Sequence, residues 1–229
     1  HYYVLKSDAE SYFASIQHHI VLRQVKQWIH DPIILELLWQ FITQRRDHAG
    51  VLYPTTQGIS KGSRLSVILG AIYLDTLDRV LSSLASKVNG YYCRYVDDWI
   101  FMCTQRHQLR KALKLMYQVL NELGLTIAKK KTYVGKIEKG FDWLGYRVNW
   151  KRVITDDSRE VLGCHSNSTL LKNIYYLTVS QTSLKNHFEK YHRLYEQGAS
   201  KRALIEYLVR WCQWVNSGLV ATPYVQLRV

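Results

Sequence analysis

The stretch Arg94-Tyr95-Val96-Asp97-Asp98-Trp99-Ile100 reads as a β-strand, a two-carboxylate tip and a second strand. Tyr91, Cys93 and Tyr95 alternate before the tip, and Trp99-Ile100-Phe101-Met102 continue after it as an apolar run. Adjacent aspartates at such a tip hold two negative charges close together. At about 4 Å and an effective dielectric of about 20, their repulsion is roughly 4 kcal/mol. The apolar flanks set the pair against a core, so a cation should neutralise it, and clustered carboxylates suit a hard divalent metal. An isolated Asp-Asp is more often a solvated turn, because aspartate bonds its own backbone there. The rest of the chain has to decide between the two.

Working outward, Asn89-Gly90 is a turn into the hairpin. Before it, Leu65, Leu69, Ile72, Leu77, Val80, Leu81 and Leu84 keep the spacing of one long helix. After it, Leu109, Leu113, Met116, Leu120 and Leu123 form an amphipathic helix that Gly124 can cap. Thr126 to Trp150 return to short strands. Towards the other end, residues 2 to 7 read as a strand ending at Asp8, and Ala9 to Ile16 as a helix. Residues 20 to 47 read as mostly helical, with Asp31-Pro32 restarting the chain, and a loop runs from Gly50 to Gly62. Residues 151 to 164 are charged and Gly-containing, which suits a linker, and 165 to 229 read as helical. The order predicts an α+β fold: an antiparallel sheet backed by helices over 1–150, then a helical appendage over 165–229.

Of 229 residues, 31 are Lys or Arg and 18 are Asp or Glu, a net charge of +13. That excess calls for a polyanionic partner, nucleic acid before an acidic membrane surface. Cys93, Cys103, Cys164 and Cys212 are scattered, with no CxxC pair, which excludes a zinc framework and fits free thiols in a reducing compartment such as the cytoplasm. No apolar run is long enough for a signal peptide or a membrane span. The chain starts at His1 on a strand-like stretch, as a segment of a longer protein would.

A two-metal nucleotidyl transfer site needs carboxylates from separate segments, since both cations are clamped on one face about 3.5–4 Å apart. Asp8 at a strand end and Asp97 at a hairpin tip meet this need if their strands are neighbours. At these residues the chain resembles the palm and thumb of a reverse transcriptase, of the bacterial group II intron-like class. Lys6-Ser7-Asp8-Ala9-Glu10-Ser11-Tyr12-Phe13-Ala14-Ser15-Ile16 resembles the first metal-binding motif, and Tyr95-Val96-Asp97-Asp98 matches the Tyr-x-Asp-Asp box. Gly58-Ile59-Ser60-Lys61-Gly62-Ser63-Arg64-Leu65-Ser66 is similar to the loop and helix that touch nucleotide and template. Gly124-Leu125-Thr126 through Lys131-Thr132 resembles the lysine motif, and Phe141-Asp142-Trp143-Leu144-Gly145-Tyr146 the primer grip.

The resemblance implies Asp8 and Asp97 as ligands to two Mg²⁺ ions, for which Mn²⁺ can substitute, with Asp98 accessory and the Ala9 carbonyl on the ion that travels with the triphosphate. It implies Phe13 as a gate against the ribose 2′-hydroxyl, and nucleotide contact at Lys61 and Gly62. Primer or template contact is implied at Tyr95, Ser66, Phe141, Leu144, Gly145 and Tyr146. Lys131, just before Thr132, is the lysine placed to protonate the departing pyrophosphate; the run Lys129–Lys131 would otherwise be a solvated face. The partners implied are an RNA template, a DNA or RNA primer, dNTPs, and the N-terminal fingers of the same longer protein. Two positions depart from the family pattern: Ser60-Lys61-Gly62 replaces Pro-Gln-Gly, and Ser66-Val67 replaces Ser-Pro. Lys61 cannot accept a hydrogen bond as Gln does, though its ammonium can pair with a triphosphate. Two rivals share this fold logic, an RNA-binding splicing-assist protein and an RNA-dependent RNA polymerase. Lys185, Lys190, Arg193, Lys201, Arg202 and Arg210, interleaved with aromatics, suit phosphate contacts along a hybrid duplex.

Overall fold

The computed structural model describes residues 2–43, 46–48, 51–53, 55–156 and 169–219. Strand β1 (Tyr3–Asp8) is buried without interruption from Val4 to Asp8, so both its faces are covered and the usual alternation is lost. Helices α1 (Tyr12–Ser15), α2 (His18–Val25) and α3 (Pro32–Ile42) follow. Asp31 starts α3 by accepting the Ile33 and Ile34 N–H groups at 2.8 and 3.2 Å, with Pro32 in the first turn where no donor is needed. A short ladder pairs β2 (Arg46–His48) with β3 (Val51–Tyr53), and α4 (Arg64–Tyr73) and α5 (Asp75–Lys87) come next. The hairpin consists of β4 (Tyr91–Tyr95) and β5 (Asp98–Cys103), and α6 (Arg106–Glu122) leads to β6 (Tyr133–Lys136).

The four strands lie in the order β4-β5-β1-β6, with β5 antiparallel to both β4 and β1. Helices α5 and α6 pack on this sheet and on each other. Leu109, Ala112, Met116, Val119 and Leu120 form the buried face of α6 and meet Leu77, Leu81, Trp99, Phe101 and Leu5 in one apolar cluster. Gly124 takes φ +66 and the Leu125 N–H reaches back to the Leu120 carbonyl at 2.8 Å, which ends α6 as its glycine predicted. Tyr73, fully buried, donates to the Leu123 carbonyl and accepts from the Gln17 N–H, tying three segments through one hydroxyl.

The chain forms two compact units, His1–Gly135 and Lys136–Val229. The second contains a three-stranded antiparallel sheet of β7 (Phe141–Trp143), β8 (Tyr146–Asp156) and β9 (Thr169–Val179), then α7 (Gln181–Glu196) and α8 (Lys201–Leu219). Leu144 and Gly145, both with positive φ, make the two-residue turn between β7 and β8. His187 of α7 is hydrogen-bonded to the Tyr207 hydroxyl at 2.7 Å and stacks on Trp211 of α8 at 5.0 Å.

The mixture of helix and antiparallel sheet is the one expected, with local differences. Arg46–His48 is strand, where the helical expectation ran to residue 47. The long helix breaks at Leu74, which has ψ near 4°, and the new helix start is filled by Asp75 and Asp78, whose charges suit it. Lys151 to Asp156, expected in a linker, extend β8; residues 157–164 lie outside the described residues. Thr169–Val179 is strand rather than helix, and the cluster Ile174-Tyr175-Tyr176 explains it, since β-branched and aromatic residues fit a pleated surface. The unit boundary falls at Gly135, so the segment Phe141–Tyr146 belongs to the second unit. Cys93, Cys103 and Cys212 are free thiols, and Cys164 lies outside the described residues. Among the described residues no helix is long and apolar enough to cross a membrane.

Burial and the nearby Lys190 charge hold the His187 pKa below its ordinary value near 6.5. A histidine with a depressed folded pKa adds stability above its unfolded value, and that stability is lost as pH falls through the folded one. Thermal melting should therefore weaken from pH 7.5 to pH 5, and His187→Phe should flatten that dependence; an identical slope in both proteins would refute the assignment.

Candidate active site

The register of β1 against β5 puts Asp8 directly opposite Asp98, and that of β4 against β5 puts Tyr95 opposite Asp98. Asp97 sits in the turn between them, and its carbonyl accepts the Ala9 N–H at 3.3 Å. On the other side of β1, the Ala128 N–H donates to the Asp8 carbonyl at 3.0 Å and the Glu10 N–H to the Thr126 carbonyl at 2.8 Å. The strand end carrying Asp8 is thus gripped from both flanks, and three aspartates from two distant parts of the chain come to one end of the sheet.

Two lysines share that end. Lys131 Nζ lies 2.6 Å from Asp8 Oδ2, and Lys6 Nζ lies 3.7 Å from Asp98 Oδ1 while donating to the Lys131 carbonyl at 3.1 Å. Three carboxylates against two ammonium groups leave the cluster net negative. The hydrogen bond to Asp8 raises the Lys131 pKa; burial opposes this, and the charges of Asp8, Asp97 and Asp98 reinforce it. Among the described residues, Lys131 is the one of the three lysines in the 129–131 turn that reaches an aspartate.

Asp8 is only 5% exposed, and its Oδ1 is buried with no hydrogen-bond partner among the described residues. Leaving a buried charged oxygen unmatched costs about 1–3 kcal/mol or more, which a cation there would offset. Among the described residues no three His, Cys, Asp or Glu side chains form a ready-made cage. A Mg²⁺ ion would not require one, since it keeps several waters and takes one or two carboxylates plus substrate phosphates. Asp8 and Asp97, with Asp98 beside them, are the side chains that could hold it. A cleft of about 850 Å³ is walled by Ala9, Glu10 and Ser11, by Tyr117 of α6, and by Lys129 to Lys131; it adjoins the strand end after Asp8, and none of the three aspartates lines it.

The other sequence-expected residues divide. Phe13 packs on Tyr12 with ring centroids 5.2 Å apart, and its carbonyl accepts the Ile59 N–H at 2.8 Å, so the Gly58–Gly62 loop docks on α1. A Cβ at Gly70 would come 3.1 Å from the Tyr12 ring and 3.2 Å from that of Phe13, so α4 lies close against both rings. Lys61 and Gly62 are exposed at the loop tip, and neither they nor Phe13 line the 850 Å³ cleft. Tyr95 is 63% exposed, open to a partner. Ser66, by contrast, is buried and its hydroxyl has no hydrogen-bond partner among the described residues. In the second unit Phe141 is buried; Tyr146 stacks on Trp214 and donates to the Trp214 carbonyl at 2.9 Å; and a Cβ at Gly145 would strike the Trp214 ring at 2.6 Å. Tyr146 and Gly145 of this segment thus lie against α8, with Leu144 at the turn.

Sequence reasoning missed the Lys6 bridge and the partners of Arg94. A charged residue inside an otherwise apolar strand is the signal for both, because it must be paired when buried.

A four-stranded sheet whose central strands β5 and β1 bring Asp8 and Asp98 together at one end is a polymerase-palm arrangement. The chain belongs to the reverse transcriptase (RNA-dependent DNA polymerase) family, whose model matches residues 1–148. Protein YkfC of Escherichia coli (strain K12) is 25% identical over 181 residues, covering 66% of this chain and 48% of its own length. The chain thus spans about half the length of that relative. In fold it is similar to apo telomerase from Candida tropicalis (TM-score 0.54, 17% identity, 65% of this chain and 34% of that one). It is equally similar to telomerase from Candida albicans in complex with a fragment of telomeric RNA (TM-score 0.55, 16% identity, 65% and 29%).

Proposed function

We propose that this chain is the palm and thumb of an RNA-templated DNA polymerase of the bacterial group II intron-like class, adding dNTPs to a primer 3′-hydroxyl by two-metal nucleotidyl transfer. The observation that carries the reading is the meeting of Asp8, Asp97 and Asp98 at one end of the sheet, in a chain of this family. Asp8 and Asp97 would hold two Mg²⁺ ions, or Mn²⁺ in their place, with Asp98 and the Ala9 carbonyl beside them; when bound, these supply Lewis acidity at the 3′-hydroxyl and the transferred phosphoryl group. The remaining work of the protein is positioning and charge. Lys131 brings positive charge, and a proton at Nζ for the departing pyrophosphate, to the same end. Exposed Tyr95 supports the primer end, and the cations of α7 and α8 contact phosphates. The N-terminal fingers of the longer protein complete the grip on an RNA template paired to a DNA or RNA primer. The free thiols support a reducing, cytoplasmic setting.

Phe13 closes the sugar side of the site against a ribose 2′-hydroxyl. Phe13→Ala should raise ribonucleotide incorporation by up to about 10²-fold, the usual ceiling when rejection rests on one added hydroxyl. Unchanged selectivity would remove Phe13 from that role. The whole reading is tested by primer extension with the full-length protein on an RNA template, supplied with dNTPs and Mg²⁺. Templated DNA product supports it. Efficient ribonucleotide use by the unmodified protein would favour an RNA polymerase, and RNA binding that supports splicing without any synthesis would favour a splicing-assist protein.

A further inference from the structure

Arg94 lies one turn of the hairpin away from the aspartates and is only 11% exposed. Its guanidinium grips both carboxylate oxygens of Asp78 on α5, through Nε at 2.7 Å and through Nη2. Nη1 donates to the carbonyl of Val96 at 2.6 Å, and Nη2 to that of Ala71 at the end of α4 at 3.4 Å. The Tyr92 hydroxyl donates to Asp78 Oδ1 at 2.7 Å, so Asp78 is fixed from two directions. One planar fork thus joins two helices and a strand to the peptide immediately before Asp97. Only arginine has the donors to do this.

Val96 is the residue that needs holding. It sits at φ 56, a left-handed conformation that a β-branched side chain resists and glycine adopts freely. Strain of this kind persists where its surroundings over-determine it. We propose that Arg94, locked by Asp78 and Tyr92, is a positioning residue: it holds the Val96 carbonyl, fixes the left-handed turn, and so aims Asp97 at Asp8. The proposal rests on the reading of Asp8 and Asp97 as cation ligands. Its competitor is a plain staple, in which the Arg94–Asp78 pair joins α5 to the sheet and the turn looks after itself.

The test compares full-length wild type, Arg94→Lys, and Arg94→Lys combined with Val96→Gly. Amide hydrogen exchange is read at the tip, including the Ala9 N–H that bonds to Asp97, against the interior of β1 and β5. The Mg²⁺ concentration for half-maximal primer extension is read alongside. Loss of the fork should raise that concentration about 10–100-fold, the range for groups that orient ligands from behind. Tip exchange should rise about tenfold while the strand interiors stay protected, a local rather than global opening. Val96→Gly should recover most of both losses, because glycine needs no clamp. Unchanged tip exchange and Mg²⁺ requirement in Arg94→Lys, or no recovery with Val96→Gly, would leave only a staple. If the wild type extends no primer, exchange alone decides the clamp, and the proposed function fails separately. If Arg94→Lys does not fold, Tyr92→Phe, which removes one bond to Asp78, is read in the same way.

Discussion

Asp8→Asn and Asp97→Asn in the full-length protein should each lower primer extension by at least about 10²–10³-fold, the loss typical when one group of a preorganised electrostatic site is removed. Both changes keep shape and remove charge. Asp8→Asn also ends the pair with Lys131, but that lysine side chain is 66% exposed and solvates on release, so little stability is lost with it. Melting temperatures should stay within a few degrees of wild type, which separates chemistry from unfolding. Asp98→Asn should cost less, because the proposed site gives Asp98 only an accessory place and Lys6 stands 3.7 Å from it. An Asp97→Asn protein that extends primers like wild type would remove the carboxylates from the reaction.

The largest loss of stability is expected at Trp99. It is 0% exposed, directly beside Asp98 on β5, and packs in the cluster that joins the sheet to α5 and α6. Trp99→Ala should destabilise by about 3–5 kcal/mol, the range for deleting a large buried aromatic. Against a typical total of about 5–15 kcal/mol, that is a large fraction. Trp99→Phe should cost much less, since it keeps most of the ring volume. It also removes an indole Nε1 that is buried without a partner among the described residues. Urea unfolding midpoints check the order; equal losses in the two variants would place the cost in something other than volume.

Much of this was legible in the chain itself. The alternation around Asp97, the helical spacing of α6 and the glycine at 124 encode local structure directly, and each fixed its element. The meeting of Asp8 with Asp97 was readable only as a condition, because strand order is a long-range property; the β1–β5 register pairs Asp8 with Asp98, and the Ala9 N–H bond to the Asp97 carbonyl brings the next residue's backbone alongside. Lys131 is picked out from three consecutive lysines by its place before Thr132, and its Nζ lies 2.6 Å from Asp8 Oδ2. Burial of Ser66 and Phe141 was not readable, since a small polar or aromatic residue near a turn looks the same on either side of a helix or strand. The role of Arg94 was hidden for another reason. Its partner Asp78 lies on a helix whose start at Asp75 is set by a break that the unbroken apolar spacing concealed.

The most direct measurement is a Mn²⁺ titration of the full-length protein followed by electron paramagnetic resonance, in wild type, Asp8→Asn and Asp97→Asn. Carboxylates that cage divalent ions predict saturable uptake by the wild type and uptake weakened at least about tenfold, or 1.4 kcal/mol, in each variant. Equal Mn²⁺ binding by all three proteins would contradict the account.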